Sequence, residues 1–140
     1  MEEVKIKITT IQTIDDAGNE DNIEMITEAT LDKIDDCFII NYDESGLTET
    51  EGSRTRLKIY KNKMLLTKIG SFSSKMKFEE GNSYSDFYTT PYGSFDLDFL
   101  TVSYINNLDD NGRGSIEVEY KIVFGKTGES YNKLKINIYN

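Results

Sequence analysis

Apolar and polar residues alternate along most of the chain with a period of two, the pattern of β-strands that bury one face. In residues 4–9 the apolar positions hold Val and Ile and the polar positions hold Lys and Thr, and residues 116–124 give the clearest series. Polar clusters such as residues 15–19 separate these segments and are typical of turns. The pattern predicts ten short strands, at 4–14, 23–31, 37–44, 53–59, 64–69, 75–78, 84–88, 95–101, 116–124 and 131–139.

The stretch from Tyr84 to Phe99 holds the only proline of the chain, Pro91, together with six aromatic residues. Proline fixes φ and lacks an N–H donor, which excludes it from the middle of a central strand, and glycine adopts the backbone angles of sharp turns. Residues 90–93, Thr-Pro-Tyr-Gly, are therefore predicted to form a turn between two aromatic-rich strands, whose rings anchor the core from both sides.

No segment combines apolar residues at helical spacing with capping residues, so we expect no long helix. Short strands joined by tight turns, each with one polar face, predict an antiparallel meander that closes into a barrel or folds into a sandwich. The 140 residues contain no internal repeat or linker and are numerous enough to bury a core. The sequence therefore predicts a single all-β domain spanning residues 1–140.

The charge and the missing residue types exclude several classes of function. A formal charge of −9 argues against a phosphate-binding surface and, more weakly, against anionic membranes, so we predict neither a nucleic acid nor a membrane partner. The chain has no histidine, which removes the imidazole general base, His-based zinc sites and Ser-His-Asp or Cys-His arrangements. We therefore predict that the protein is not an enzyme.

A single cysteine, Cys37, lies in the apolar run that ends at Ile40. One cysteine forms no intramolecular disulfide, and with no histidine to activate it a packed side chain is the favoured interpretation. The first residues lack the apolar core of a signal peptide, and no apolar run is long enough to cross a bilayer. We expect a cytoplasmic protein.

Two motifs imitate ligand-binding loops but lack the residues that such loops require. Residues 125–127, Gly-Lys-Thr, resemble the end of a phosphate-binding loop, but the glycine needed five positions earlier is Tyr120. Residues 107–112 resemble the start of a calcium loop, but the twelfth position is Val118 rather than glutamate. Both are better interpreted as turns, and we predict no cofactor and no metal.

A series of short motifs runs in order through nearly the whole chain. They are Tyr42-x-Glu44-Ser45, Glu51-Gly52-Ser53-x-Thr55-x-Leu57-Lys58-Ile59, Met76-x-Phe78-x-x-Gly81, Thr90-Pro91-Tyr92-Gly93 with Phe95 and Thr101, Gly114-x-Ile116 with Tyr120, and Asn132-x-Leu134. Together they resemble the YwiB-like family, bacterial domains of unknown function with a lipocalin-like, calycin-type β-barrel. The resemblance implies eight strands, with two of the ten predicted strands being bends of one strand, and it implies no reaction.

Two carboxylates bracket the least regular segment, residues 45–51, near one end of the predicted barrel. Glu44 is in phase with Tyr42 and points inward, and Glu51 stands just before the strand that carries the inward Thr55. In a structural interpretation they accept hydrogen bonds from backbone amides or pair with a nearby lysine; in a functional one they supply polar contacts at the mouth of a ligand cavity. The residues predicted to bind a ligand there and inside the barrel are Tyr42, Glu44, Glu51, Thr55, Tyr92, Phe95 and Tyr120.

Two hypotheses of function follow from this architecture. The first is a non-catalytic barrel that binds a small, partly apolar or amphipathic molecule in its interior, since an eight-stranded barrel has room for one such ligand. The second is a ligand-free structural or protein-interaction domain, because the predicted inward aromatic side chains are large enough to fill the barrel. These aromatic residues are Phe38, Tyr42, Phe95, Phe99, Tyr120 and Phe124. The oligomeric state is left open.

Overall fold

A computed structural model describes residues 1–13, 20–43, 54–69, 74–90, 93–123 and 128–140, with the backbone alone at residues 20, 74, 86–90 and 93–95. Within these ranges the chain forms ten β-strands and no helix. The strands are β1 (Glu2–Thr13), β2 (Glu20–Ile34), β3 (Cys37–Asp43), β4 (Arg54–Ile59), β5 (Lys63–Ile69), β6 (Ser74–Glu79), β7 (Ser83–Thr90), β8 (Gly93–Leu108), β9 (Gly114–Val123) and β10 (Glu129–Tyr139).

All ten strands belong to one antiparallel sheet with the order β6-β5-β4-β3-β2-β1-β10-β9-β8-β7. Each strand pairs with its neighbour in sequence, except that β6 and β7 lie at the two edges, and β1 pairs with β10. The sheet curls so that edge strand β6 approaches β8. Two hydrogen bonds join the turn between β6 and β7 to β8. The Gly81 amide donates to the Thr101 carbonyl oxygen at 2.9 Å, and the Thr101 amide donates to the Asn82 carbonyl oxygen at 3.1 Å. The result is a half-barrel.

The ten alternating segments of the sequence are confirmed as ten strands. The eight strands implied by the family resemblance are therefore wrong, because no two of the ten merge into one bent strand. The turn between β6 and β7, for example, is a true reversal in which the Asn82 amide donates to the Glu79 carbonyl oxygen at 2.9 Å. Nor do β6 and β7 pair with each other along the described residues, so the sheet is not a closed barrel there.

The core is formed by the inward face that the alternation predicted. Ile6, Ile40, Leu57 and Ile116 are completely buried, and each such side chain contributes roughly 1.5–3 kcal/mol by leaving water. Their outward neighbours in sequence are polar at most positions, as β4 shows with its alternating exposed and buried residues. The period-two pattern therefore decided correctly which face of the sheet is buried.

The interior is closed at one end by contacts between distant strands. A β-bulge between Thr101 and Ser103 on β8 inserts one residue. Before the bulge the odd-numbered residues face inward, and after it the even-numbered residues do. As a result Tyr104 and Asn106 reach the turn between β4 and β5, where both donate hydrogen bonds to the carbonyl oxygen of Tyr60, at 2.8 and 2.9 Å. The bulge could not be predicted from the sequence, and the eighth strand is longer than expected because of it.

The turn between β8 and β9 covers the same end. A Cβ atom on the buried Gly112 would lie 3.0 Å from the side chains of Leu31 and Phe38, which would have to shift to admit it, and the φ of 79° also favours glycine here. Within the turn the Asp109 carboxylate accepts hydrogen bonds from the amides of Asn111 and Arg113, at 2.8 and 3.0 Å. These bonds lower the pKa of Asp109 below its ordinary value. The segment that imitated a calcium loop thus uses this carboxylate to stabilise its own turn.

Candidate functional site

The connections of the meander alternate between the two ends of the sheet. The β2–β3, β4–β5, β6–β7 and β8–β9 connections lie at the closed end just described, which we call the turn end. The strand ends that adjoin the other five connections lie at the opposite end, which we call the loop end. Binding residues are commonly carried by loops that a rigid sheet holds in place, so the loop end is the natural place to look for a site.

Inward side chains become more exposed toward the loop end on β1, β2, β5, β6, β8 and β9. On β9, for example, Val118 is fully buried whereas Tyr120 is half-buried, and on β5 the same holds for Met64 and Leu66. On β2 the inward Ile23 is 63% exposed, a large value for an isoleucine on the core face of a sheet. Solvent therefore reaches part of the interior from this end. The inward residues that are only half-buried here include Ile8, Thr10, Gln12, Met25, Leu66, Lys68, Met76, Leu97, Tyr120 and Ile122.

Buried polar side chains occupy the interior at the same end. Thr55, Ser130 and Asn132 at this end are at least 97% buried and face inward, and Thr101, whose backbone bonds to the β6–β7 turn, is equally buried on the same face. The Asn132 side-chain amide donates to the Ser130 hydroxyl at 3.1 Å, and no buried polar side-chain atom of the described residues lacks a partner. Buried hydrogen-bonding side chains therefore lie beside half-buried apolar side chains on the inward face at the loop end.

Aromatic rings span the interior next to this polar layer. Phe78 on edge strand β6 lies 5.0 Å from Tyr120 on β9, with the two rings tilted by 56°. Tyr84 and Phe99 stack at 5.1 Å between β7 and β8, and the Tyr84 hydroxyl accepts a hydrogen bond from the Lys77 amide at 3.2 Å. Because β6 and β9 are not neighbours in the sheet, the first contact exists only because the sheet curls.

The structure places some of the predicted site residues together. Tyr42 and Thr55 are paired across β3 and β4, and both are buried on the inward face, as predicted. Tyr120 lies on β9, which is separated from β3 by β2, β1 and β10, and its ring contacts Phe78. The backbone of Phe95 pairs with Tyr88. The Phe95 side chain lies outside the described part of the structure, as do all atoms of Glu44, Glu51 and Tyr92.

Three buried polar residues of the inward face, Thr101, Ser130 and Asn132, were missing from the predicted site. Their positions follow from the alternation: Thr101 is in phase with Phe99, and Ser130 and Asn132 are in phase with Leu134. A search for polar residues at inward positions of the last strand would have found two of them. Leu66 and Met76 carried no such signal, since they resemble ordinary core residues.

A second concave feature lies on the outer face of β1–β4 and encloses about 680 Å³. Two rows of outward side chains border it, one of them ending at Arg54 and the other at Arg56. Acidic and basic groups are mixed along these rows. Arg54 Nε lies 3.3 Å from the Asp43 carboxylate, and Arg56 Nε donates to the Asn41 side-chain oxygen at 3.0 Å. This groove is polar, exposed and separate from the interior.

The described residues contain no group of three or more His, Cys, Asp or Glu side chains placed to hold a metal ion. Among the same residues no helix is long and apolar enough to span a membrane.

Comparison with known proteins places the chain in a family. Residues 6–136 match the family described as "Domain of unknown function (DUF1934)". The chain belongs to this family. The architecture above is similar to the crystal structure of the ywiB protein from Bacillus subtilis, with a TM-score of 0.77 and 22% sequence identity over 99% of this chain and 92% of that one. At this identity the likeness shows a shared fold.

Two further points follow for this DUF1934 chain. The YwiB-like resemblance recognised in the sequence is confirmed by both the family and the solved structure. No curated protein matches the chain, so no activity is transferred to it by similarity.

Proposed function

We propose that this DUF1934 domain is a non-catalytic binding protein that holds a small, partly apolar molecule in the loop end of its half-barrel. The observation that carries the proposal is the combination of half-exposed apolar side chains and buried hydroxyl and amide groups on the same inward surface. In a fully packed barrel the side chains on the inward face are covered by other side chains and are not half-exposed. A bound molecule would cover them.

The chemistry of the site suggests the class of ligand. Leu66, Met76 and Tyr120 offer an apolar surface for the body of the molecule, and the buried polar side chains of Thr55 and Asn132 lie at the same end. A ligand with an apolar body and a neutral polar group fits this combination. In this proposal, as in lipocalin-like barrels generally, binding rather than catalysis is the function.

The remaining predicted residues enter the proposal from the sequence. Glu44 and Glu51 flank the β3–β4 connection, and Tyr92 lies in the β7–β8 connection, so both connections belong to the loop end. We place these side chains, with Phe95, around the mouth. The absence of histidine from the chain supports a non-catalytic role, and the lone Cys37 begins β3 at the turn end, away from the site.

A second candidate function is favoured by the contact between Phe78 and Tyr120. These rings meet at 5.0 Å across the interior, and the buried polar atoms of the described residues are already paired within the protein. A half-barrel filled in this way would act as a ligand-free structural or protein-interaction domain. The two functions differ in whether the interior at the loop end accepts an added group.

The test is native mass spectrometry of the protein purified from its source, before and after denaturation. We expect the wild type to release a small molecule on unfolding. Leu66→Trp fills the inward surface and should abolish retention, whereas Leu65→Trp adds the same side chain to the opposite face of β5 and should retain the molecule. Met76→Trp, which pairs with Leu66 across β5 and β6, serves as a second variant in case one of them fails to fold.

Two outcomes would overturn the proposal. A wild-type protein that carries no retained molecule supports the filled domain instead. Retention of the same molecule by folded Leu66→Trp and Met76→Trp would place its site elsewhere, the outer groove on β1–β4 being the first alternative to examine.

A further inference from the structure

The net charge of −9 conceals a strong segregation of charge along the chain. Residues 52–78 contain 8 of the 16 basic residues and none of the 25 acidic residues. The remaining residues therefore carry 8 basic and all 25 acidic side chains. Residues 52–78 include β4, β5 and all of β6 except its last residue, Glu79, so most of this positive charge lies in three adjacent strands at one edge of the sheet.

The outward side chains of these strands form an ordered surface. Strand β4 presents Arg54, Arg56 and Lys58, and β6 presents Lys75 and Lys77; we call these five residues the basic face. Between the two strands β5 presents Lys63 at its start, opposite Glu79 of β6, and then three uncharged outward side chains. These three are Leu65, Thr67 and Ile69, which we call the central strip.

The pairing register fixes the spacing of the charges. Across the three strands, Leu65 lies between Lys58 and Lys77. Two residues further along, Thr67 lies between Arg56 and Lys75. Successive basic residues along β4 are two residues apart, roughly 6.6 Å. The basic residues of β4 and β6 are separated by two strand intervals, roughly 9.5 Å. The basic face therefore consists of two parallel rows of cations, one along β4 and one along β6, with the partly apolar central strip between them.

Most of this positive charge is not neutralised within the described part of the chain. Arg54 lies 3.3 Å from Asp43 and Lys77 lies 3.7 Å from Glu79, both in exposed pairs. Arg56 donates to the neutral amide oxygen of Asn41 rather than to a carboxylate. For Lys58 and Lys75 no ion pair with a described residue is found.

The central strip decides between the classes of anionic partner. Ile69 is 49% exposed and Leu65 is partly exposed, so an occupant that lies between the basic rows must cover apolar surface. A single-stranded nucleic acid binds best where aromatic side chains stack on its nucleobases, and the outward positions of β4, β5 and β6 that the structure describes hold none. An extended peptide with both acidic and apolar side chains satisfies both parts of the surface.

We infer that the outer face of β4–β6 docks an extended acidic segment of a partner protein. The segment lies along β5, where its apolar side chains cover Leu65 and Ile69. Its carboxylates reach the basic side chains of β4 on one side and of β6 on the other. Charge complementarity of this kind increases the rate of association and suppresses unsuitable partners, and it weakens as salt is added.

The test measures binding of a fluorescent ten-residue peptide of alternating Glu and Leu by fluorescence anisotropy. The double variant Arg56→Gln/Lys75→Gln removes one charge from each basic row. The control Lys7→Gln/Lys135→Gln removes two charges from the outer faces of β1 and β10 and gives the same net charge. We expect the first variant to weaken binding about tenfold, the combined effect of two exposed charge pairs, and the control to leave it unchanged.

Every other outcome opposes the inference. It is overturned if the wild type does not bind the Glu-Leu peptide, if both double variants lose binding equally, or if a matched Lys-Leu peptide binds as well. Tighter binding of a 15-nucleotide oligo-dT or of phosphatidylglycerol vesicles, with the same loss in Arg56→Gln/Lys75→Gln, would assign the face to a nucleic acid or a membrane. A wild-type dimer that this variant converts to a monomer would assign it to a second copy of the chain.

Discussion

The hydroxyl of Tyr104 on β8 donates a 2.8 Å hydrogen bond to the backbone carbonyl oxygen of Tyr60, which lies 44 residues earlier in the chain. Tyr104 lies on β8, near one edge of the curled sheet, and Tyr60 lies in the β4–β5 turn, near the other edge. The bond therefore holds the turn end closed. It depends on the bulge at Thr101 and Ser103, which directs Tyr104 inward.

Tyr104→Phe is expected to lower the free energy of unfolding by about 1 kcal/mol, the usual contribution of one hydrogen bond, while Asn106 keeps its own bond to Tyr60. Urea denaturation measures the effect. Tyr139→Phe, at an exposed position on β10, is the matched control and should leave the midpoint unchanged. Equal midpoints for the two variants would show that the Tyr104 bond does not stabilise the fold.

Alkaline pH provides an independent check on the same residue. Burial raises the pKa of Tyr104 to about 12, although its hydrogen bond with Asn106 acts in the opposite direction. Between about pH 10 and pH 12 the unfolded chain has released this proton and the folded chain has not, so the stabilisation from Tyr104 is lost as the pH rises. We expect the difference in unfolding free energy between wild type and Tyr104→Phe to shrink over this interval, with no such trend below pH 9.

Gly114 begins β9 at a φ of 137°, and a Cβ atom there would lie 2.2 Å from the carbonyl oxygen of Asn107. Gly128 has a similar φ of 148° but no atom within 4 Å of the same position. Both alanine variants force a disfavoured backbone conformation, at a cost of about 1–3 kcal/mol each. Gly114→Ala must also displace the β8 backbone, so its melting temperature should fall well below that of Gly128→Ala. Equal losses would mean that the close approach of β8 and β9 at Asn107 is not required.

Cys37 is a buried free thiol with 8% of its surface exposed. In the folded protein it should react slowly with a thiol reagent, and in urea it should react at the rate of a free cysteine, because only the exposed thiolate is reactive. A spectrophotometric thiol assay with and without urea measures both rates, and Cys37→Ser provides the blank. Fast reaction of the native protein would contradict the observed packing at the start of β3.

The sequence predicted the parts of this fold that depend on local alternation. It identified ten strands, the inward position of Tyr42 and Thr55 and the packing of Cys37, because side-chain direction in a strand follows from a period of two. It did not predict the bulge after Thr101, since one inserted residue leaves no distinctive pattern in the surrounding polar and apolar positions. The strand count implied by the family resemblance was wrong, whereas the count from alternation was right.

The candidate site was predicted only in part, for a different reason. Parity along β3 and β4 brought Tyr42 beside Thr55, because these strands are neighbours in both sequence and space. The contact between Phe78 and Tyr120 joins strands that are neighbours in neither, and it arises from the curl of the whole sheet. Sequence alternation contains no information about how strongly the sheet curls. The residues that form a site across the interior could therefore be identified only from the structure.

The pairing of β1 with β10 has a consequence for how the chain acquires its structure. The other pairs in the sheet join consecutive strands, which form as hairpins within microseconds, whereas the register of β1 with β10 sets Lys5 opposite Tyr139. During synthesis β2 covers one edge of β1 early, but the other edge waits until residues 129–139 have left the ribosome. A bare strand edge is a template for pairing with the wrong chain. A nascent chain that stalls before residue 129 therefore exposes β1 to mispairing, and the arrival of β10 is the step that ends this exposure.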